Sequence, residues 1–264
     1  VPGILSQIPS IVTYSQSGLD IGYPFASIRG FDQRRQSVLV NGVPQNDPED
    51  HSVYWIDMPD LAANASDIQV QRGAGSAFYG PPAIGGSINV ETGLSGKREF
   101  NISAGYGSYN TSKLAISLNS GLIDDKYIIY ARLSQFKTDG YRDASFIDLK
   151  SSRLSLARYD SNFSLQLNFY GGSTKDGLYY YGIYPGENND RSNFSDPKQR
   201  KINFSESFAY ERRPPEHEEF SQPHYEAITS WDIDKSTTFY NTLFYIQGDG
   251  LFDYDGTWVF PFTN

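Results

Sequence analysis

Between Lys97 and Gln247 the chain alternates apolar and polar residues in long runs, most cleanly in Phe163-Ser164-Leu165-Gln166-Leu167-Asn168-Phe169. A period of two puts the apolar set on one face of an extended strand and the polar set on the other. The same grammar recurs at Phe100, Ile102, Ala104 and Tyr106, at Leu114, Ile116 and Leu118, and over 127–136, 153–159, 225–233 and 238–247. About seven strands are predicted, each roughly 10 to 14 residues long, which suits a tilted membrane span better than a globular sheet. Tight turns are expected after the second, fourth and sixth strands, at Asp124-Asp125-Lys126, Asp160-Ser161-Asn162 and Asp234-Lys235-Ser236. Long connections are expected after the third and fifth, over 138–148 and 177–221. Short turns on one rim and long loops on the other are the layout of an antiparallel transmembrane β-barrel.

Residues 1–95 read differently. Gly, Pro, Asp and Asn punctuate short apolar bursts such as Ser37-Val38-Leu39-Val40 and Ile68-Gln69-Val70, the pattern of a small mixed α/β domain. Short helices are predicted over 58–64 and 76–79. Asn41-Gly42, between Val40 and Val43, has the composition of a two-residue hairpin turn. The expected organisation is thus a mixed α/β domain over 1–95, then barrel strands over 96–264.

Composition narrows the class. With 20 Tyr, 17 Phe and 24 Gly against 22 Lys+Arg, the chain favours strands and turns over charged helices. Mean hydropathy is -0.50, which a barrel tolerates because only one face of each strand meets lipid. A soluble sandwich or propeller also alternates, but its polar face would carry many Lys and Glu. Here those positions are mostly Ser, Asn and Gln, with a few charges such as Arg132 and Arg153 that suit a wet lumen. A net charge of -9 argues against a nucleic-acid partner. The absence of cysteine removes disulfides and thiolate chemistry. No phosphate loop or nucleophile elbow stands out, so no enzyme and no cofactor are expected. The chain opens on Val1-Pro2-Gly3, without an initiator Met, and is expected to be the processed or truncated part of a longer protein.

Five motifs occur in order: Ile28-Arg29-Gly30-Phe31; Val38 to Pro44; Ile68-Gln69-Val70-Gln71-Arg72-Gly73; Ser76-Ala77-Phe78-Tyr79-Gly80; and Ala83 through Gly85 and Gly86 to Thr92. Together they resemble the plug domain of TonB-dependent receptors, and the stretch from Asn41 to Trp55 looks most like receptors of Bacteroidetes-type bacteria. The resemblance implies a plug inside a barrel of about 22 strands, of which this chain holds the first. It also implies an outer-membrane protein that binds a scarce nutrient at the cell surface and imports it with energy from a TonB-type complex, which engages a segment upstream of Val1. The ligand class stays open among metal chelate, vitamin, oligosaccharide and peptide. The alternative is an adhesin or assembly component built on the same fold.

Site residues follow from the same resemblance. Arg29 and Arg72 are expected to meet carboxylates on the inner wall and hold plug to barrel, with the glutamate partners on later strands that this chain is expected to lack. Gly30, Asn41, Gly42, Gly73, Gly80, Gly85 and Gly86 are expected to form the plug's tight turns. Candidate ligand-facing residues are Gln45, Asn46, Asp47, His51, Tyr54 and Trp55 at the plug apex, with Tyr179, Tyr180, Tyr181 and Tyr184 in the long loop. Those loop tyrosines are equally compatible with an aromatic girdle. Asp47, Glu49, Asp50 and His51 read as a solvated acidic turn, and His217, Glu218, Glu219 and His224 match no zinc spacing, so no metal site is assigned.

Overall fold

The computed structural model describes residues 1–15, 19, 21–74, 83–141, 145–178 and 216–253. The N-terminal unit opens with a short helix α1 (Pro2–Leu5) and a hairpin, β1 (Ile11–Ser15) with β2 (Pro24–Ile28). A four-stranded sheet follows, in the order β4 (Val43–Pro44), β3 (Gln36–Val40), β6 (Gly86–Glu91), β5 (Asp67–Arg72). β3 and β6 run parallel and are nearly continuous in burial, as strands covered on both faces are. Ile28, Val38, Val40, Ile88 and Val90 form the centre of the core, each at most 1 % exposed. Between the sheet strands lie a 3-10 turn (Trp55–Asp57) and a one-turn helix α2 (Leu61–Asn64), so the helix expected over 58–64 is shorter and is preceded by a tighter turn. The helix expected over 76–79 lies outside the described residues.

Two turns show why the sequence is as it is. Asn41 and Gly42 have φ of 51° and 79° and pair Val40 with Val43, a turn whose twist matches the flanking strands. Gly86 has φ of 148° in the register pair with Arg72, a backbone conformation open essentially to glycine alone.

The second unit is one antiparallel sheet. β7 (Arg98–Gly107), β8 (Thr111–Ser120), β9 (Tyr127–Thr138), β10 (Ile147–Tyr159) and β11 (Phe163–Gly177) pair each with the next. β11 then pairs with β12 (His217–Ser221) at one end and with β13 (His224–Asp232) along the rest. These two are one span interrupted at Gln222-Pro223, since proline has no N–H to donate. Gly171 lies opposite, where an added Cβ would stand 2.8 Å from Pro223 Cα, so the missing side chain lets the two backbones approach. β14 (Thr238–Ile246) and β15 (Asp249–Asp253) repeat the interruption against β13 and β12.

One expectation is corrected here. Residues 217–221 were assigned to a long loop but continue the wall as β12, because ladder pairing resumes beyond the proline even though His-Glu-Glu reads as loop. The connection after β7 is tight: Tyr109 and Asn110, with φ of 58° and 51°, turn the chain directly into β8.

Facing follows parity. Leu114, Leu133, Leu156 and Leu167 are on the outer face and solvent-accessible, while Ser117, Ser151, Arg153, Ser155 and Asn168 are inward and buried. Outside, Phe169, Tyr225 and Tyr245 form an aromatic row across three strands, with centroids 5.3 and 6.1 Å apart. The wall so described is an open arc with β7 at one edge and β14 at the other. The plug packs against its inner face, and Tyr170 of β11 belongs to the plug's own core cluster. If the outer face lies in hydrocarbon, Leu167→Arg should destabilise the protein folded into lipid vesicles by about 2–4 kcal/mol. The measurement is the urea midpoint; Leu167→Phe should leave it nearly unchanged.

Candidate functional site

The inward positions of the wall meet the plug along a polar seam. At its first point, Asp60, just ahead of α2, receives Lys113 of β8 at 3.0 Å and Arg132 of β9 at 2.8 Å. Asp60 and Arg132 are almost wholly withdrawn from water, so the pair depends on mutual neutralisation. Burial opposes the Asp60 charge, but the hydrogen bonds from Arg132 and Lys113 outweigh it and hold the carboxyl below its ordinary value.

At the second point Arg153 of β10, 3 % exposed, donates from Nη1 to the Asn64 carbonyl at 2.9 Å and from Nη2 to the Thr92 carbonyl at 2.8 Å. Its guanidinium also lies 5.1 Å from the Tyr130 ring centroid. One planar fork thereby satisfies the carbonyl ending α2 and the carbonyl following β6. Gln166 adds a 3.3 Å bond to the same Thr92 oxygen.

At the third point the hairpin turn itself is held. Asn41 Nδ2 donates to Glu226 Oε2 at 2.7 Å, and its Oδ1 accepts from the Thr92 N–H at 2.9 Å. Glu226 also accepts from Asn168 Nδ2 at 2.9 Å and from the Tyr170 hydroxyl at 2.8 Å. Three donors thus converge on one buried carboxyl and tie β11, β13 and the plug's hairpin turn together.

Toward the opposite rim the seam changes character. Thr174 Oγ1 donates to the Ile56 carbonyl at 3.2 Å, and Ile56 packs with Ile147 and Leu149 of β10. The Tyr23 hydroxyl donates to Glu218 of β12. Asp57 and Asp176 lie close by, both buried, with carboxylate oxygens that no donor reaches.

The sequence-predicted residues are distributed otherwise. Arg72 Nη1 donates to the Pro9 carbonyl at 3.2 Å and Arg29 is an exposed residue with φ of 54°; among the described residues neither forms an ion pair. Their expected partners belong to later strands, so β7–β15 do not test that expectation; along these strands wall cations reach plug oxygens at Asp60, Asn64 and Thr92. Asn46 is spent on its own loop: its Oδ1 accepts from the Val38 N–H, and its Nδ2 donates to the Gln36 and His51 carbonyls. Gln45 bonds the Val43 carbonyl, Asp47 accepts from the Glu49 and Asp50 N–H groups, and the Tyr54 hydroxyl donates to Asp50. His51 is exposed, with φ of 63°. Trp55 is a correction: it lies in the plug core at 6 % exposed, because the 3-10 turn rolls its indole inward, and it presents no ligand-facing surface. Gly30 and Gly73 take positive φ, and Gly85 packs against Phe31. Tyr179, Tyr180, Tyr181, Tyr184 and Gly80 lie outside the described residues. Among the described residues no three His, Asp or Glu side chains are placed to hold a metal ion.

Removing Asp60 leaves the largely buried Arg132 without its counter-charge, while Lys113 remains in reach of water. Asp60→Ala is expected to weaken docking of the plug by about 3 kcal/mol. The measurement is the loss of hydrogen-exchange protection over α2 in the assembled protein. The Asp60 carboxyl titrates below its unfolded value of 3.8, so its contribution is full above that pH and is lost as pH falls through the lower folded value.

With this geometry in hand, comparison with known proteins is informative. The profile of the TonB-dependent Receptor Plug Domain family matches residues 1–87. The vitamin B12 transporter BtuB of Vibrio vulnificus is 33 % identical over 141 residues, covering 53 % of this chain and 22 % of the transporter. The ferric-catecholate import receptor Fiu of E. coli K12 superposes with a TM-score of 0.68 at 20 % identity, over 96 % of this chain and 37 % of the receptor. The ferric yersiniabactin uptake receptor FyuA of Yersinia pestis gives 0.70 at 14 %, over 95 % and 38 %. The chain thus spans between about a fifth and two fifths of the length of these relatives. Residues 1–87 thus match the plug-domain family, and the plug packed against the inner face of antiparallel strands gives this chain the fold of the plug and part of the wall of these receptors.

Proposed function

We propose that the protein binds a scarce solute at the outer face and admits it to the periplasm when force from a TonB-type complex frees the plug from the wall. The observation that carries this reading is the composition of the seam. Among the described residues, apart from the apolar contacts of Ile21, Ile56 and Tyr170, the plug is joined to the wall by hydrogen bonds and ion pairs to Tyr23, Ile56, Asn41, Asp60, Asn64 and Thr92. Such contacts hold tightly while dry, yet each has a water-satisfied alternative, so the seam can open and remake without unfolding the wall. An apolar seam would behave as a permanent core.

The named functions of the relatives, a vitamin B12 transporter and importers of ferric chelates, support large, rare chelates as the ligand class. Coupling between ligand and energy requires two plug states that differ in affinity, and the seam supplies the contacts that distinguish them.

The test joins plug to wall covalently. Since the chain has no cysteine, Asn41→Cys with Glu226→Cys places a thiol pair across the seam that a short bis-methanethiosulfonate linker can bridge and a reductant can release. Linked cells carrying this variant should bind radiolabelled cobalamin or ferric catecholate but not accumulate it, with uptake restored by reductant and abolished by a protonophore. Binding that never leads to energy-dependent accumulation, in reduced and linked cells alike, would favour an adhesive role and sink the transport reading.

A further inference from the structure

Among the described residues, the seam near Glu218 has no counterpart to the charge pairing at Asp60 or to the donor fork of Arg153. Asp176 and Glu218 are direct register partners in the β11–β12 ladder, both inward and both under 5 % exposed. Like charges directly opposite on one sheet face repel. The plug brings a third carboxyl, Asp57, on the 3-10 turn that Thr174 fixes to β11 two residues before Asp176. Its fourth member is Tyr23, from the connection between β1 and β2, whose hydroxyl is given to Glu218. Both carboxylate oxygens of Asp176 and Oδ1 of Asp57 are buried without a hydrogen-bond partner.

What faces this nest from the neighbouring elements does not neutralise it. β10 sets Ile147 opposite Asp176, and β15 sets Phe252 opposite Glu218. Lys175, Glu219 and His217 alternate onto the other face, where Lys175 and His217 engage Glu219. Among the described residues no cation reaches Asp57, Asp176 or Glu218. Three buried carboxyls around one phenol cannot all be ionised, because an oxygen with neither a donor nor a counter-charge must carry a proton or leave the interior.

We propose that Asp57, Asp176, Glu218 and Tyr23 form a proton-dependent latch between the plug's 3-10 turn and the barrel wall, closed while the carboxyls share protons and forced apart when those protons are lost. The inference rests on the plug-in-barrel arrangement but not on transport, so the transport reading can fail while the latch stands. Asp57 agrees in direction: burial first, and then the charge of Glu218, raise its carboxyl to about 8. A carboxyl raised in the folded state contributes stability in full below its unfolded value of 3.8, and that contribution is lost as pH rises toward 8. The latch therefore weakens through the neutral range, where the Asp60 pairing is constant.

The experiment measures hydrogen–deuterium exchange of the Asp57 and Met58 amides, which bond the Tyr54 and Trp55 carbonyls, in the assembled protein between pH 5 and 9. Rates are corrected for the intrinsic pH dependence of exchange. Protection should fall by up to about tenfold per pH unit for one proton released, levelling off above about pH 8. Asp57→Asn should reduce that slope, and Asp57→Asn combined with Asp176→Asn should flatten it. Asp60→Asn should lower protection while keeping the slope. A flat wild-type profile overturns the latch, as does an unchanged slope in the double variant or protection that follows added calcium rather than pH. Where Asp176→Asn fails to assemble, an unchanged slope in Asp57→Asn alone overturns it.

Discussion

A folded plug inside a barrel must satisfy its polar groups against a wall that can offer only every second residue. The other half of each strand is committed to the outer face, so the inward set has to do all the pairing. Arg153 shows how tight that constraint is. One inward side chain on β10 completes the carbonyl at the end of α2 and the carbonyl after β6, two points far apart in the plug's own sequence. Were Arg153 shifted by one residue in register it would point outward, and both carbonyls would be buried without donors. The strand register is thus part of the plug's own structure.

The plug in turn presents what the wall can use. Its sheet core is closed by Ile28, Val38, Val40, Ile88 and Val90, and what remains at its surface toward the wall is turn and helix-end backbone, together with Asn41 and Asp60. Those are groups with fixed direction and unmet valence, which the short α2 and the Asn41-Gly42 turn supply because each ends where hydrogen-bonded structure stops. The small size of the plug's elements, only one turn in α2 and two residues in β4, is what exposes so many such groups to a partner.

Much of this was legible in the sequence, for reasons that can be named. Period-two alternation over 163–169 locates β11 and its facing because burial on one side leaves no other arrangement. Asn41-Gly42 declares its turn because both residues accept positive φ. The Ser, Asn and Gln on the polar face, with Arg132 and Arg153 among them, indicated a wet interior, and both arginines are seam residues. What could not be read was pairing across the seam. Arg29 and Arg72 drew notice through local motif, whereas Asp60, Asn64 and Thr92 carry no local signal at all, since their role is set by residues from 53 to 89 positions away. Trp55 misleads for a related reason: a 3-10 turn has no long periodicity from which the inward side could be deduced. The continuation of the wall at His217–Ser221 was hidden because three polar residues and a nearby proline resemble a loop.

The seam contains two chemistries, and their separation has a mechanical consequence. At Asp60, Arg153 and Glu226 every buried charge has a counter-charge or a set of donors. At Asp57, Asp176 and Glu218 the charges share a sign and only Tyr23 intervenes. Sequence alternation alone would have allowed an inward Lys at position 176 or 218, as it does at Lys113, so carboxyls at these two positions are not imposed by the fold. A plug fixed equally everywhere would have to be released all at once. One held by complementary charge around α2, by hydrogen bonds at the hairpin turn, and by shared protons at the 3-10 turn, can open first where its contacts are weakest, with the stronger set retaining the register to which the plug returns.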